Sequence, residues 1–254
     1  MIFMRILPGV LKELTKHVPS VLFQAVDWNE LAHEVPKLTR RMIQKEGLTD
    51  LLVAQRPLFE KQGIILTLDS LSPTSLSLDQ ENGRKILMFF FAQLFIGNGI
   101  FLDLRPKHFQ GNDSNLRFQV SGFWTKLDPD FRNSLIKVYD GFYQDDEILY
   151  KEGLLGMGLI HSNWSEKEKN DLAEIFGRQF GKNRSGEVMF KLDDLNQTII
   201  EISHFMLERK VKVSKDFLYL GIYLVTLYGV MEETGLPFPV KDLYLETKAL
   251  FSRA

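Results

Sequence analysis

The chain has 254 residues, 44% hydrophobic and 25% charged, which is enough apolar surface for a buried core. Its net charge of -2, with signs alternating along the chain, speaks against a nucleic-acid partner and for solvated helix faces. There is no cysteine, which excludes disulfides, thiolate catalysis and thiolate-bound metals; the five histidines (His17, His33, His108, His161, His204) are too scattered for a helical zinc motif.

The opening stretch "MIFMRILPGVLKELTKHVP" makes a poor secretory signal, because Arg5 follows the first apolar cluster and Pro8 interrupts it. The expected location is therefore the cytoplasm, with peripheral membrane contact left open. Residues 1–60 predict helix, interrupted at Pro36 within "DWNELAHEVPKLTRRMIQKEGLTDLL". "GIILTLDSL" (63–71) predicts a strand, and "SPTSLSLDQ" predicts a turn. A helix is expected from Asp79 to Gly97. Its run "ILMFFFAQLFI" is apolar on nearly every side, which makes it the central buried helix, with Phe89, Phe90 and Phe91 in the core.

"IFLDL" and "LRFQV", joined through "QGNDSN", predict a hairpin, and everything beyond is expected to be helical. Asp128 and Pro129 open one helix as cap and first residue. Asp145, Asp146 and Glu147 mark the N-terminus of the next, where their charge complements the helix dipole. Ser165 and Glu168 form a capping box, and a helix through "FLYLGIYLVTLYGVM" stops by Gly235. That apolar run has 15 residues, short of the roughly 20 that span a bilayer, so it predicts a core helix and no transmembrane segment. A last amphipathic helix starts near Val240.

The chemistry-bearing stretch is "GIFLDLRPKHF" (99–109). Asp103 ends an extended run, Pro106 follows three residues on and His108 five residues on. This is the spacing of a kinase catalytic loop, in which the Asp orients or deprotonates the acceptor hydroxyl and an Asn five residues later holds magnesium. Asp103 as a simple turn cap is an equal alternative, and His108 reads first as a hydrogen-bonding loop residue. Gly122, downstream, reads as a backbone-geometry residue at the hairpin end.

Over residues 60–250 the chain resembles the UbiB/AarF family of atypical, protein-kinase-like kinases. The resemblance rests on "ILTLDSL" (65–71), "FFFAQLFIGNGIFLDLRPKHF" (89–109), "FQVSGFWTKLDPDFRNSL" (118–135) and "VSKDFLYLGIYLVTLYGVMEETGL" (213–236), in that order. Gln93, Gly99, Asp103 and Pro106 fall in register with the family's loop motif; Gly122 matches the Gly of its DFG, and Leu127 and Arg132 the segment after it. The resemblance implies a kinase-like fold, ATP with magnesium, and a role in isoprenoid-quinone or membrane-lipid metabolism.

The departures cut against activity. His108 replaces the magnesium-binding Asn, and imidazole suits softer metals than magnesium. Val120 stands at the position of the metal-holding Asp of DFG, with Ser121 there on a register shifted by one. No GxGxxG and no GxxxxGK[ST] is found in the sequence, and no strand Lys of the nucleotide lobe in residues 1–60. The expectation is an α+β, mostly helical fold: a protein-kinase-like C-terminal lobe (76–254) behind a reduced N-terminal segment (1–75). The function expected is a non-catalytic accessory or interaction protein with a protein or lipid partner and no cofactor. Asp103 is then a vestigial catalytic position, and His108, Val120 and Gly122 are degenerate nucleotide or metal positions. The alternatives are a divergent ATPase or kinase that uses Asp103 with Mg-ATP, and a helical interaction protein without kinase ancestry.

Overall fold

The computed structural model describes residue 13 and residues 16–71, 79–111, 115–180 and 187–251. The expected helix over residues 1–12, the turn over 72–78 and the tip of the loop at 112–114 lie outside the described residues. The fold is α+β and mostly helical. In chain order the elements begin with α1 (Ser20–Ala25), α2 (Trp28–Gln44), α3 (Leu48–Glu60), β1 (Ile64–Thr67) and α4 (Gln80–Ile96). The middle of the chain contributes β2 (Ile100–Phe101), a 3-10 turn (Pro106–His108), β3 (Phe109–Gly111), β4 (Leu116–Gln119) and β5 (Trp124–Thr125). The remainder holds α5 (Pro129–Gln144), α6 (Glu147–Gly156), α7 (Glu166–Gly177), β6 (Glu187–Met189), α8 (Leu192–Glu208), α9 (Lys215–Glu232), β7 (Pro237–Pro239) and α10 (Val240–Phe251).

The central helix forms as its composition requires. Asp79 caps α4 by accepting from the Asn82 amide at 2.8 Å, and Gly97 closes it in the left-handed conformation. Phe89, Phe90 and Phe91 are all buried, because neighbours surround the helix on every side. Phe89 meets Phe59, Phe101 and Phe118; Phe90 stacks on Tyr223; Phe91 meets Tyr139 and Tyr244 edge-on. Helix α9 is as thoroughly buried and forms the second core rod. Among the described residues, no helix is long and apolar enough to cross a membrane.

Three expectations are corrected. Pro36 does not interrupt its helix: α2 runs through it from Trp28 to Gln44. The hairpin is not built from "IFLDL". Its strands are β3 and β4, with Phe109 opposite Phe118, while Ile100–Phe101 pairs across to Trp124–Thr125. The run between them is consumed by the turn at Pro106. Nor is everything beyond the hairpin helical, since β5, β6 and β7 follow and β6 pairs with β7.

One sheet has the order β1-β4-β3, with β1 parallel to β4 and in register Ile64 to Leu116 through Thr67 to Gln119. One apolar core runs from Val18 to Phe251, with Phe59 and Ile64 as fully buried as Phe238 and Leu243. Residues on both sides of position 75 therefore share a sheet and a core.

Candidate functional site

The loop after β2 is fixed by side chains from three helices. Gln55 of α3 donates to the Gly99 carbonyl at 2.8 Å. Gln93 of α4 accepts from the Phe101 amide at 2.7 Å and donates to the Tyr223 hydroxyl at 2.7 Å. That hydroxyl in turn donates to the Phe90 carbonyl, and Thr226 of α9 donates to the Leu102 carbonyl at 2.9 Å. The bonds to Gly99, Phe101 and Leu102 satisfy backbone groups that a two-residue strand leaves without a ladder partner. The loop's starting point is thus held to the two buried helices before Asp103 is reached.

Asp103 is 2% exposed. Arg105 grips it as a fork, Nε donating to Oδ1 at 2.7 Å and Nη2 to Oδ2 at 2.6 Å. His108 Nε2 lies 2.9 Å from Oδ2, and the Arg105 amide lies 3.3 Å from Oδ1. Burial on its own would raise the proton affinity of Asp103. The hydrogen bonds from Arg105 and His108, with the Arg105 charge, outweigh it and hold the carboxyl well below the usual carboxylate range. The Arg105 guanidinium is in turn stabilised in its charged form by the same bonds, and its Nη1 reaches Glu13 at 3.3 Å. Both oxygens of Asp103 are therefore taken, and an ionised, fully engaged carboxylate is a weak proton acceptor.

His108 and Asp103 come together, and His108 is a loop hydrogen-bonder whose Nδ1 is buried without a hydrogen-bond partner. Val120 is 4% exposed and belongs to the core. Its amide donates to the Thr67 carbonyl at 2.9 Å, so it extends the pairing of β4 with β1. The next segment runs beside the loop, because the Leu102 amide donates to the Phe123 carbonyl at 3.1 Å.

Gly122 has a different reason from the one its position suggested. It is not in the left-handed region; a Cβ there would lie 2.3 Å from the Arg41 carbonyl oxygen and 2.8 Å from Met42 Cα, so glycine is needed for the close approach of α2. Phe123 is buried and Trp124 is partly buried under α2, with the Arg41 guanidinium 4.5 Å from its ring centroid. Arg105 is the residue that sequence reasoning missed. Its signal was an opposite charge two positions after Asp103, immediately before the turn that Pro106 opens.

Among the described residues, no group of three or more His, Asp or Glu side chains is placed to hold a metal ion. An open groove of about 990 Å³ lies between α6, α7, β6 and α8, lined by Glu147, Lys151, Arg178 and Asp194 among others. Asp103, His108, Val120 and Gly122 are not part of its walls. No family model matches the chain, and no curated protein matches its sequence.

Proposed function

We propose that the chain is a degenerate, protein-kinase-like protein related to the UbiB/AarF atypical kinases. In this reading it acts without catalysis, as an accessory or interaction protein in isoprenoid-quinone or membrane-lipid metabolism. The order of a strand, a buried helix, an Asp-bearing loop and a hairpin supports the ancestry, as does the meeting of Asp103 with the side chain five residues on.

The observation that carries the loss of activity is the Arg105 fork on Asp103. A catalytic-loop carboxylate must face an acceptor hydroxyl, and this one faces a guanidinium of its own loop. Val120 adds to it: a buried aliphatic side chain offers no ligand to the magnesium that neutralises transferring phosphates.

Thermal unfolding with and without Mg-ATP tests the reading. Ligand that binds only the native state raises Tm, by about 2.7 kcal/mol of added stability at a hundredfold excess over Kd. No rise is expected at millimolar Mg-ATP. A clear rise that Asp103→Asn abolishes overturns the non-catalytic reading in favour of a divergent ATPase or kinase.

A further inference from the structure

Among the described residues, β6 and β7 form a sheet of two strands, so each has an edge without a neighbouring strand. Their register sets Glu187 opposite Pro239, Val188 opposite Phe238 and Met189 opposite Pro237. A proline has no amide hydrogen to give to a ladder. The paired bonds therefore run between Val188 and Phe238, the central couple. In an antiparallel ladder the flanking residues, Glu187 and Met189, then turn their amides and carbonyls to the opposite edge.

That edge borders the open groove between α6, α7, β6 and α8. All three residues of β6 line the groove, and none of β7 does. Val188 is buried while Glu187 and Met189 are exposed, so the pleat turns one side chain to the core and two to solvent. The groove has an apolar floor: Tyr150, Val188, Leu195 and Tyr228 line it and are buried.

Its walls are acidic. Lys151 pairs with Glu147 at 2.7 Å, and Arg178 pairs with Glu201 at 2.6 Å and Glu174 at 4.0 Å. Glu187 and Asp194 are left against Lys191. The excess of two carboxylates equals the net charge of the whole chain, -2, so the remaining charges of the chain balance.

We propose that the outer edge of β6 is a docking site for an extended, basic segment of a partner protein, which joins the sheet as a third strand. The amides and carbonyls of Glu187 and Met189 bind its main chain. Its Lys or Arg side chains meet Glu187 and Asp194, and an apolar residue between them lies on the floor with Val188. The edge stands on the register of β6 and on the groove, and makes no use of the Asp103 loop; that the chain works through a partner rests on the function proposed above.

A phage-displayed library of random heptapeptides, selected on the full chain, tests the site. The enriched peptides are expected to alternate Lys or Arg with apolar residues and to lack proline. Met189→Pro removes an outward amide and leaves the bonds between Val188 and Phe238 in place. It should weaken such a peptide about tenfold, whereas Met189→Leu, which keeps the amide, should change its Kd by less than about threefold. Asp194→Lys should also weaken it about tenfold. In the wild type, bound peptide should slow amide hydrogen exchange at Glu187 and Met189 about tenfold, a readout that serves if Met189→Pro does not fold. The site is overturned by selection that enriches no basic peptide, or by a peptide that binds Met189→Pro as tightly as wild type and leaves exchange at Glu187 and Met189 unchanged. Self-association in sedimentation that Met189→Pro abolishes also overturns it, and gives the edge to a second copy. Mg-ATP separates this site from the function proposed above. A rise in Tm with Mg-ATP refutes the non-catalytic reading and leaves the edge standing where the peptide binds; no rise, with no peptide bound, refutes the edge alone.

Discussion

Asp103 and Arg105 form a pair in which the two partners differ in how far they can escape. The carboxylate is buried, whereas the guanidinium keeps its Nη1 toward Glu13 at the surface. Removing Arg105 therefore strands a buried charge with only His108 beside it. Arg105→Ala is expected to destabilise the protein by about 3–5 kcal/mol in urea unfolding. Arg105→Lys should recover only part of this, because one ammonium cannot span both oxygens as the fork does.

Acid should expose the same pair. A carboxyl held below its unfolded value, ~3.9, is deprotonated in the native state where the unfolded chain already binds a proton. Its stabilisation is thus complete above about pH 4 and is lost as pH falls toward the folded value. The gap in urea midpoint between wild type and Asp103→Asn should be wide at pH 7 and should narrow at pH 3. A gap independent of pH would mean that the fork contributes by shape and not by charge. Asp216 has the opposite sign: burial raises its proton affinity despite Lys215, so its ionised form costs stability that falling pH restores.

At the scale of elements, helix ends were the most legible feature, because their signals are local. The Ser165–Glu168 capping box is present in both directions, and Asp128 with Pro129 opens α5 as their order requires. Asp146 caps α6, and Glu147 sits in its first turn. The central helix was equally plain, since an all-round apolar run leaves only burial as a solution. Strand pairing was not legible, because it depends on partners far away in sequence. The extended look of "IFLDL" gave no hint that two of its residues would pair with Trp124–Thr125 and the rest would turn away.

The site divides the same way. Asp103 and His108 were found by spacing, but the fork that occupies both oxygens of Asp103 is a matter of side-chain geometry. Gln93 was noticed for its register, while its work is to join β2 to α9. Gln93→Leu leaves the Phe101 amide buried without its acceptor, and Tyr223 keeps its own bond to Phe90. The expected cost is about 1–3 kcal/mol by urea unfolding. Tyr223→Phe, which leaves the Phe101 amide paired, should cost less.

At the scale of the whole molecule, the parallel pairing of β1 with β4 carries the greatest weight. It ties residues before position 75 to the hairpin beyond the loop. Removing the first 75 residues would expose the long edge of β4 and strip Phe59, Leu52 and Ile64 from the core around Phe89 and Phe118. A fragment of residues 76–254 is expected to bind an apolar dye and to lose its near-ultraviolet circular dichroism, the marks of lost side-chain packing. A fragment with native near-ultraviolet signal and cooperative melting would establish a domain boundary near 75.

The fork on Asp103 also governs which sequences lie within reach of this one. Freeing Asp103 by changing Arg105 leaves a buried charge uncompensated, and placing a carboxylate at Val120 puts a new charge into a position 4% exposed, with no metal yet to receive it. Either step alone runs uphill by several kcal/mol, a large part of the 5–15 kcal/mol that keeps a domain folded. Made together, the two changes leave two uncompensated carboxylates in the core, so the double substitution is uphill as well. Asp103 and Arg105 thus behave as one heritable unit: a substitution at either alone carries the cost of the broken fork.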